Sequence, residues 1–115
     1  MTVQVNILGA QWTIKEGTEA EFPGLVGVDG YADSSIRTIV VETMLDGGDP
    51  HTKQDLSDYR KTVMRHEIIH AFLYESGLEE CSAEAENWAM NEEMVDWFAI
   101  QFPKILEVYK ALNLV

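Results

Sequence analysis

The chain changes its hydrophobic rhythm near the middle. From Thr2 to Glu42 apolar and polar positions alternate: Val3, Val5 and Ile7, then Trp12 and Ile14 in the segment Gln11–Trp12–Thr13–Ile14, then Ile36–Glu42 with its run Thr38–Ile39–Val40–Val41. A period of two marks a strand with one buried face. Gly9, Gly17, Pro23–Gly24, Gly27 and Asp29–Gly30 punctuate these segments at turn positions. The pattern predicts a small antiparallel sheet of about three strands, closed by Asp46–Gly47–Gly48–Asp49–Pro50.

Beyond that point the spacing becomes helical. Thr52 with Asp55 three residues later resembles a capping box and predicts a helix running to Ser76, with Gly77 as its left-handed terminator. A second helix is expected from Ser82, an acceptable N-cap, to about Gln101. Pro103 suits the first turn of a third, Lys104 to about Leu112. Strands followed by three helices make an α+β domain. At 115 residues a single domain, 1–115, is expected, with no length left over for a second core.

Composition narrows the setting. Hydrophobic residues make up 46% of the chain and the mean hydropathy is −0.12, as in a globular protein. No apolar run approaches the roughly 20 residues of a spanning helix. Met1 to Ala10 has no basic residue leading into an apolar run, so no signal peptide is expected. Cys81 is the only cysteine, which excludes an intrachain disulfide and a multi-cysteine metal site. It reads as a small apolar filler between helices, and a reducing cytoplasm is the expected compartment. Twenty Asp and Glu against eight Lys and Arg give a net charge of −12. Nucleic-acid affinity rests on basic contacts to phosphate, so nucleic acid is excluded as a partner, and anionic membrane surfaces are disfavoured for the same reason.

Within the first long helix stands His66–Glu67–Ile68–Ile69–His70, an HExxH pattern. Histidines at i and i+4 lie about 40° apart around a helix, so both imidazoles can project to one point. Zinc takes neutral imidazole nitrogens at about 2.0–2.1 Å, and the pair supplies half of a tetrahedral site. Glu67, one residue on, can reach a metal-bound water without itself ligating, which is the position of a general base. The pattern is flanked by Val63, Met64, Ile68, Ile69, Phe72 and Leu73, and uses two of the chain's three histidines. The competing reading is a pair of core histidines satisfied by hydrogen bonds. The third histidine, His51, sits beside Pro50 in a Gly/Asp-rich loop and reads as solvated.

The second helix offers the missing ligand. Glu92 and Asp96, at i and i+4, share a helical stripe with Ala85, Trp88, Ala89, Val95 and Ala99. Carboxylates on an apolar stripe cost several kcal/mol each if buried without a partner, and a zinc ion with its histidines supplies the positive charge. Glu92 is then the third ligand, and Asp96 accepts a hydrogen bond from the outer ring nitrogen of a ligating histidine. Glu93 points about 100° away and reads as a surface carboxylate. The plain alternative is an ordinary acidic helix face.

These residues resemble a gluzincin metallopeptidase, in which a HExxH helix is followed by a second helix bearing a glutamate ligand; here Glu92 follows His70 by 22 positions. Asn91–Glu92 with Asp96 is similar to the NExxxD pattern of thermolysin-like enzymes. By size the chain looks more like the ImmA/IrrE family of compact zinc peptidases from bacteria, phages and mobile elements. Glu92, Val95, Asp96, Phe98 and Ala99 fall in register with that family's ExxANxFA motif, with Asp for the usual Asn and Val for the usual Ala. The resemblance is specific over Thr62 to Phe102 and loose over the sheet.

The resemblance implies one zinc ion per chain held by His66, His70 and Glu92, Glu67 as general base, and cleavage of a specific protein or peptide. The density of Glu75, Glu79, Glu80, Glu84, Glu86 and Glu93 around the expected cleft points to a basic partner, and most of these acids read as solvated. The segment Ile36–Glu42 is the expected edge strand for an extended substrate. Tyr31, Tyr74 and Tyr109 stand as alternatives for stabilising the oxyanion. The rival function is a catalytically silent, zinc-stabilised binding protein that uses its acidic surface on a basic partner. A core without metal is the third reading.

Overall fold

The computed structural model describes residues 2–43, 55–81 and 92–115; the side chains at 81, 92, 95, 96 and 99 lie outside that description. Among these residues four strands are present: β1 (Thr2–Ile7), β2 (Ala10–Gly17), β3 (Gly30–Asp33) and β4 (Thr38–Glu42). Three helices follow, α1 (Ser57–Glu75), α2 (Leu78–Cys81) and α3 (Glu92–Ala111). The α+β class holds.

The sheet differs from the expected one in strand count and in sense. Its order is β1-β2-β4-β3, with β1–β2 and β3–β4 antiparallel but β2–β4 parallel. The hairpin between β1 and β2 turns on Leu8 and Gly9, both with positive φ, as a two-residue loop matched to strand twist requires. Asn6 Oδ1 accepts from Gly9 N at 2.9 Å and fixes that turn. After β2 the chain detours through a 3₁₀ turn, Pro23–Leu25, before β3 takes the outer edge and β4 inserts beside β2. That detour is why β4 returns parallel to β2. β3 escaped the period-two reading because it is four residues long and begins at Gly30, a glycine whose pairing with Asp29 reads as a turn.

Ile36–Glu42 is therefore not an edge strand. Ile36 is exposed ahead of β4, which is buried on both faces between β2 and β3 and has no free backbone to pair with a peptide. The edge beside α1 belongs to β3.

One face of the sheet carries Ile7, Trp12, Ile14, Ile39 and Val41, and α1 and α3 bury it with Met64, Ile68, Ala71, Phe72, Trp97, Ile105 and Val108. On the other face Val40 is buried near Leu25 of the 3₁₀ turn. The helix α1 starts at Ser57. Asp55 Oδ1 accepts from Ser57 N (2.9 Å) and Ser57 Oγ (2.7 Å), so Asp55 organises the entry; Thr52 is outside the described residues. α1 ends at Glu75, and Gly77 has φ +81°, the left-handed terminator expected of it.

The two later helices expected on either side of Pro103 are one. α3 runs unbroken from Glu92 to Ala111 with Pro103 inside, and the segment from Ser82 to Asn91 is outside the described residues. Proline costs a helix interior about 3 kcal/mol, but Trp97 on one side of it and Ile105, Val108 and Tyr109 on the other are buried in the same core. Packing of both halves outweighs the break. α3 lies antiparallel to α1: Trp97 Nε1 donates to Ser76 Oγ (2.9 Å), while Tyr109 Oη donates to Arg65 O (3.3 Å) and Arg65 donates to Leu114 O (2.8 Å).

Candidate metal centre

The helical period of α1 brings the HExxH side chains together. His66 Nε2 and His70 Nε2 face each other at 3.1 Å, with ring centroids 4.8 Å apart and planes inclined at 70°. Two nitrogens at 2.0–2.1 Å on one tetrahedral ion would stand about 3.3 Å apart, so the separation fits a shared cation. Glu67 Oε1 is 3.8 Å from His66 Nε2, and the ligand atoms of all three side chains lie within 4.8 Å of one another.

The environment of the three differs. The His66 side chain is 67% exposed, whereas Glu67 is buried at 6%. Burial pushes the Glu67 carboxyl above its ordinary range, and the neighbouring His70 and then His66 pull it back. Glu67 Oε2 is buried without a hydrogen-bond partner among the described residues. A buried carboxylate oxygen left unpaired costs about 1–3 kcal/mol or more. A cation beside the two imidazoles would answer that deficit, and the His66, Glu67 and His70 group could hold a metal ion.

Glu67 reaches the surface through a cleft of about 260 Å³, lined by Gly30, Tyr31, Ala32 and Ser34 on the β3 side and by His70, Tyr74 and Glu79 on the helical side. Gly30 sets the width of its floor. A Cβ there would stand 2.8 Å from Val63 Cγ1, 3.2 Å from Val40 O and 3.4 Å from Glu67 Cγ, so only glycine lets α1 approach the edge strand at the level of Glu67. Sequence reasoning missed this role, although the Asp29–Gly30 pair was visible as a conformational special point. A wider groove, about 770 Å³, is lined by Glu19, Leu25, Val28, Asp29, Glu42 and Tyr59, but it contains no imidazole.

Glu92 is the first residue of α3, and Asp96 is one turn on; the side chains of both lie outside the described residues, as do His51 and the side chain of Cys81. Glu93 is exposed, as expected. Glu75, by contrast, is no solvated acid. Its side chain is 11% exposed and its Oε1 accepts from Trp12 Nε1 (2.8 Å) and Arg37 Nε (2.5 Å), tying the end of α1 to β2 and to the turn before β4. The tyrosines separate as well. Tyr109 is buried with its hydroxyl on Arg65 O, whereas Tyr31, whose ring lies beside Gly24, and Tyr74 both line the cleft.

No helix among the described residues is long and apolar enough to cross a membrane. No protein-family profile, curated protein or solved structure matches the chain.

Proposed function

We propose that the protein is a compact zinc-dependent peptidase of the ImmA/IrrE-like kind, acting on a specific, basic protein or peptide in the cytoplasm. The observation that supports this best is the arrangement on α1: two imidazole nitrogens 3.1 Å apart beside a buried carboxylate with an unpartnered oxygen. A site built only to stabilise the fold has no need of Glu67 at that place.

In this reading His66, His70 and Glu92 hold one zinc ion, and Asp96 orients a ligating imidazole. Zinc, when bound, acts as a Lewis acid that polarises a carbonyl and acidifies water. Glu67 takes a proton from the attacking water and delivers it to the departing amine nitrogen. Its buried place beside the two imidazoles suits it to that exchange. The backbone of β3, from Gly30 to Ala32, pairs with an extended substrate and lays its scissile bond against Glu67.

Metal analysis of the purified chain tests the ligand set. About one zinc per chain is expected, falling well below that in His66→Ala and in Glu92→Gln but not in Glu93→Gln. A wild-type chain that takes up no zinc on addition of the metal, or Glu92→Gln with full occupancy, contradicts it. The rival, a silent zinc-stabilised binder, is favoured if partner-directed activity survives Glu67→Gln undiminished.

A further inference from the structure

We propose that Tyr74 is a catalytic residue, its phenol donating a hydrogen bond to the substrate carbonyl oxygen as that oxygen gains negative charge. The inference rests on the hydrolytic reading above and deepens it. Val63, Glu67, His70 and Tyr74 follow one another at i, i+4, i+7 and i+11, which keeps them within about 60° of each other's direction on α1. Helical side chains lean towards the N-terminus, so the Tyr74 ring tilts back over the turn that carries His70. Glu67, His70 and Tyr74 line one cleft, facing the β3 edge.

The ring is held rather than free. It meets Trp12 edge to face, with centroids 6.3 Å apart and planes at 73°. Trp12 is itself fixed by its bond to Glu75, and Glu75 by Arg37. Among the described residues the Tyr74 hydroxyl makes no hydrogen bond. A phenol held in the wall of the cleft that also contains the general base has the placement that oxyanion stabilisation requires. The Tyr109 phenol is committed to Arg65 O, and Tyr31 stands on the β3 side of the cleft with its ring beside Gly24, off the helix that carries Glu67 and His70.

The proton balance leaves Tyr74 unchanged. The water oxygen bonds to the carbonyl carbon, the carbon–nitrogen bond breaks, and Glu67 carries the water's proton to the nitrogen. Tyr74 only shares its hydrogen with the oxyanion and keeps it when the carbonyl re-forms.

A peptide phosphoramidate, tetrahedral and anionic at phosphorus, mimics that state. Its dissociation constant would be measured by calorimetry on the zinc-loaded full chain for wild type, Tyr74→Phe and the exposed control Tyr59→Phe. Tyr74→Phe keeps the ring against Trp12, so its zinc content and melting temperature should match wild type. Its affinity for the phosphoramidate should fall about tenfold or more, and kcat on a cleaved peptide about 10²-fold with KM nearly unchanged. Tyr59→Phe should leave both untouched. Wild-type affinity and kcat in Tyr74→Phe overturn the proposal, as does a zinc-loaded wild type that fails to bind the phosphoramidate. A rise in KM alone also overturns it, since the phenol then only binds substrate. Zinc-loaded wild type that binds the mimic but cleaves no peptide defeats the hydrolytic reading instead, and the affinity comparison still decides whether Tyr74 contacts the oxyanion.

Discussion

Glu75 shows how a residue's role can differ from its type. It is the last residue of α1, where a negative charge meets the negative end of the helix dipole. Arg37 offsets that repulsion and, with Trp12, holds the Glu75 carboxyl below its ordinary range, the hydrogen bond from Arg37 being the larger cause. A depressed carboxyl pKa contributes stability that is complete above the unfolded-state value, near 4.5, and is lost as the pH falls through the lower folded value. Glu75→Gln is therefore expected to lower the melting temperature at pH 7 by roughly 4 °C, corresponding to about 1 kcal/mol, because Arg37 is half exposed and the pair is partly screened. In thermal scans from pH 8 to pH 3 the gap between the two proteins should stay constant down to about pH 5 and then close. A gap that widens on acidification contradicts the pairing. His66, Glu67 and His70 were legible in the sequence because one helical period sets their geometry. Glu75 was not, because its partners Trp12 and Arg37 lie 63 and 38 positions away and nothing local announces them.

Between elements the decisive contact is the approach of α1 to the edge strand at Gly30. Gly30→Ala places a methyl group against Val63 and the Val40 carbonyl. We expect it to cost about 1–3 kcal/mol and to displace Glu67, lowering both melting temperature and activity. Trimming the opposing side chain in Gly30→Ala/Val63→Ala should recover part of both, and a double variant no better than the single one would show that the contact is not what limits the site. Pro103 is the opposite case, a residue the helix accommodates at a cost. Pro103→Ala restores a backbone donor in an exposed stretch of α3, so chemical denaturation should show a gain of about 1–2 kcal/mol after the greater freedom of the unfolded chain is allowed for. The alternation of β1 and β2 was readable because each buries one face. β4 read as a strand but its place in the sheet did not, since strand order depends on the detour through residues 18–29. The join of the two predicted helices into α3 was hidden because local proline chemistry signals a boundary, whereas the packing of Trp97 and Ile105 in one core is a tertiary fact.

At the scale of the molecule the acid excess resolves into distinct uses. Glu67 belongs to the cleft, Glu75 to the clamp on Arg37 and Trp12, and Glu16 to an ion pair with Arg60 (2.9 Å) that ties β2 to α1. Zinc binding and folding should be coupled, because the ion would answer the unpartnered Glu67 oxygen and neutralise acids in a chain of net charge −12. At a hundredfold excess of zinc over its dissociation constant the linkage is about 2.7 kcal/mol, roughly a 10 °C rise in melting temperature that a chelator reverses and that Glu93→Gln leaves intact. The central claim, that this arrangement hydrolyses peptide bonds, is tested most directly by incubating a peptide library with the zinc-loaded chain and reading new termini by mass spectrometry, with Glu67→Gln at equal zinc content in parallel. New termini at a restricted set of sequences with wild type and none with Glu67→Gln are the expected result; no cleavage by wild type, or the same cleavage by both proteins, would contradict it.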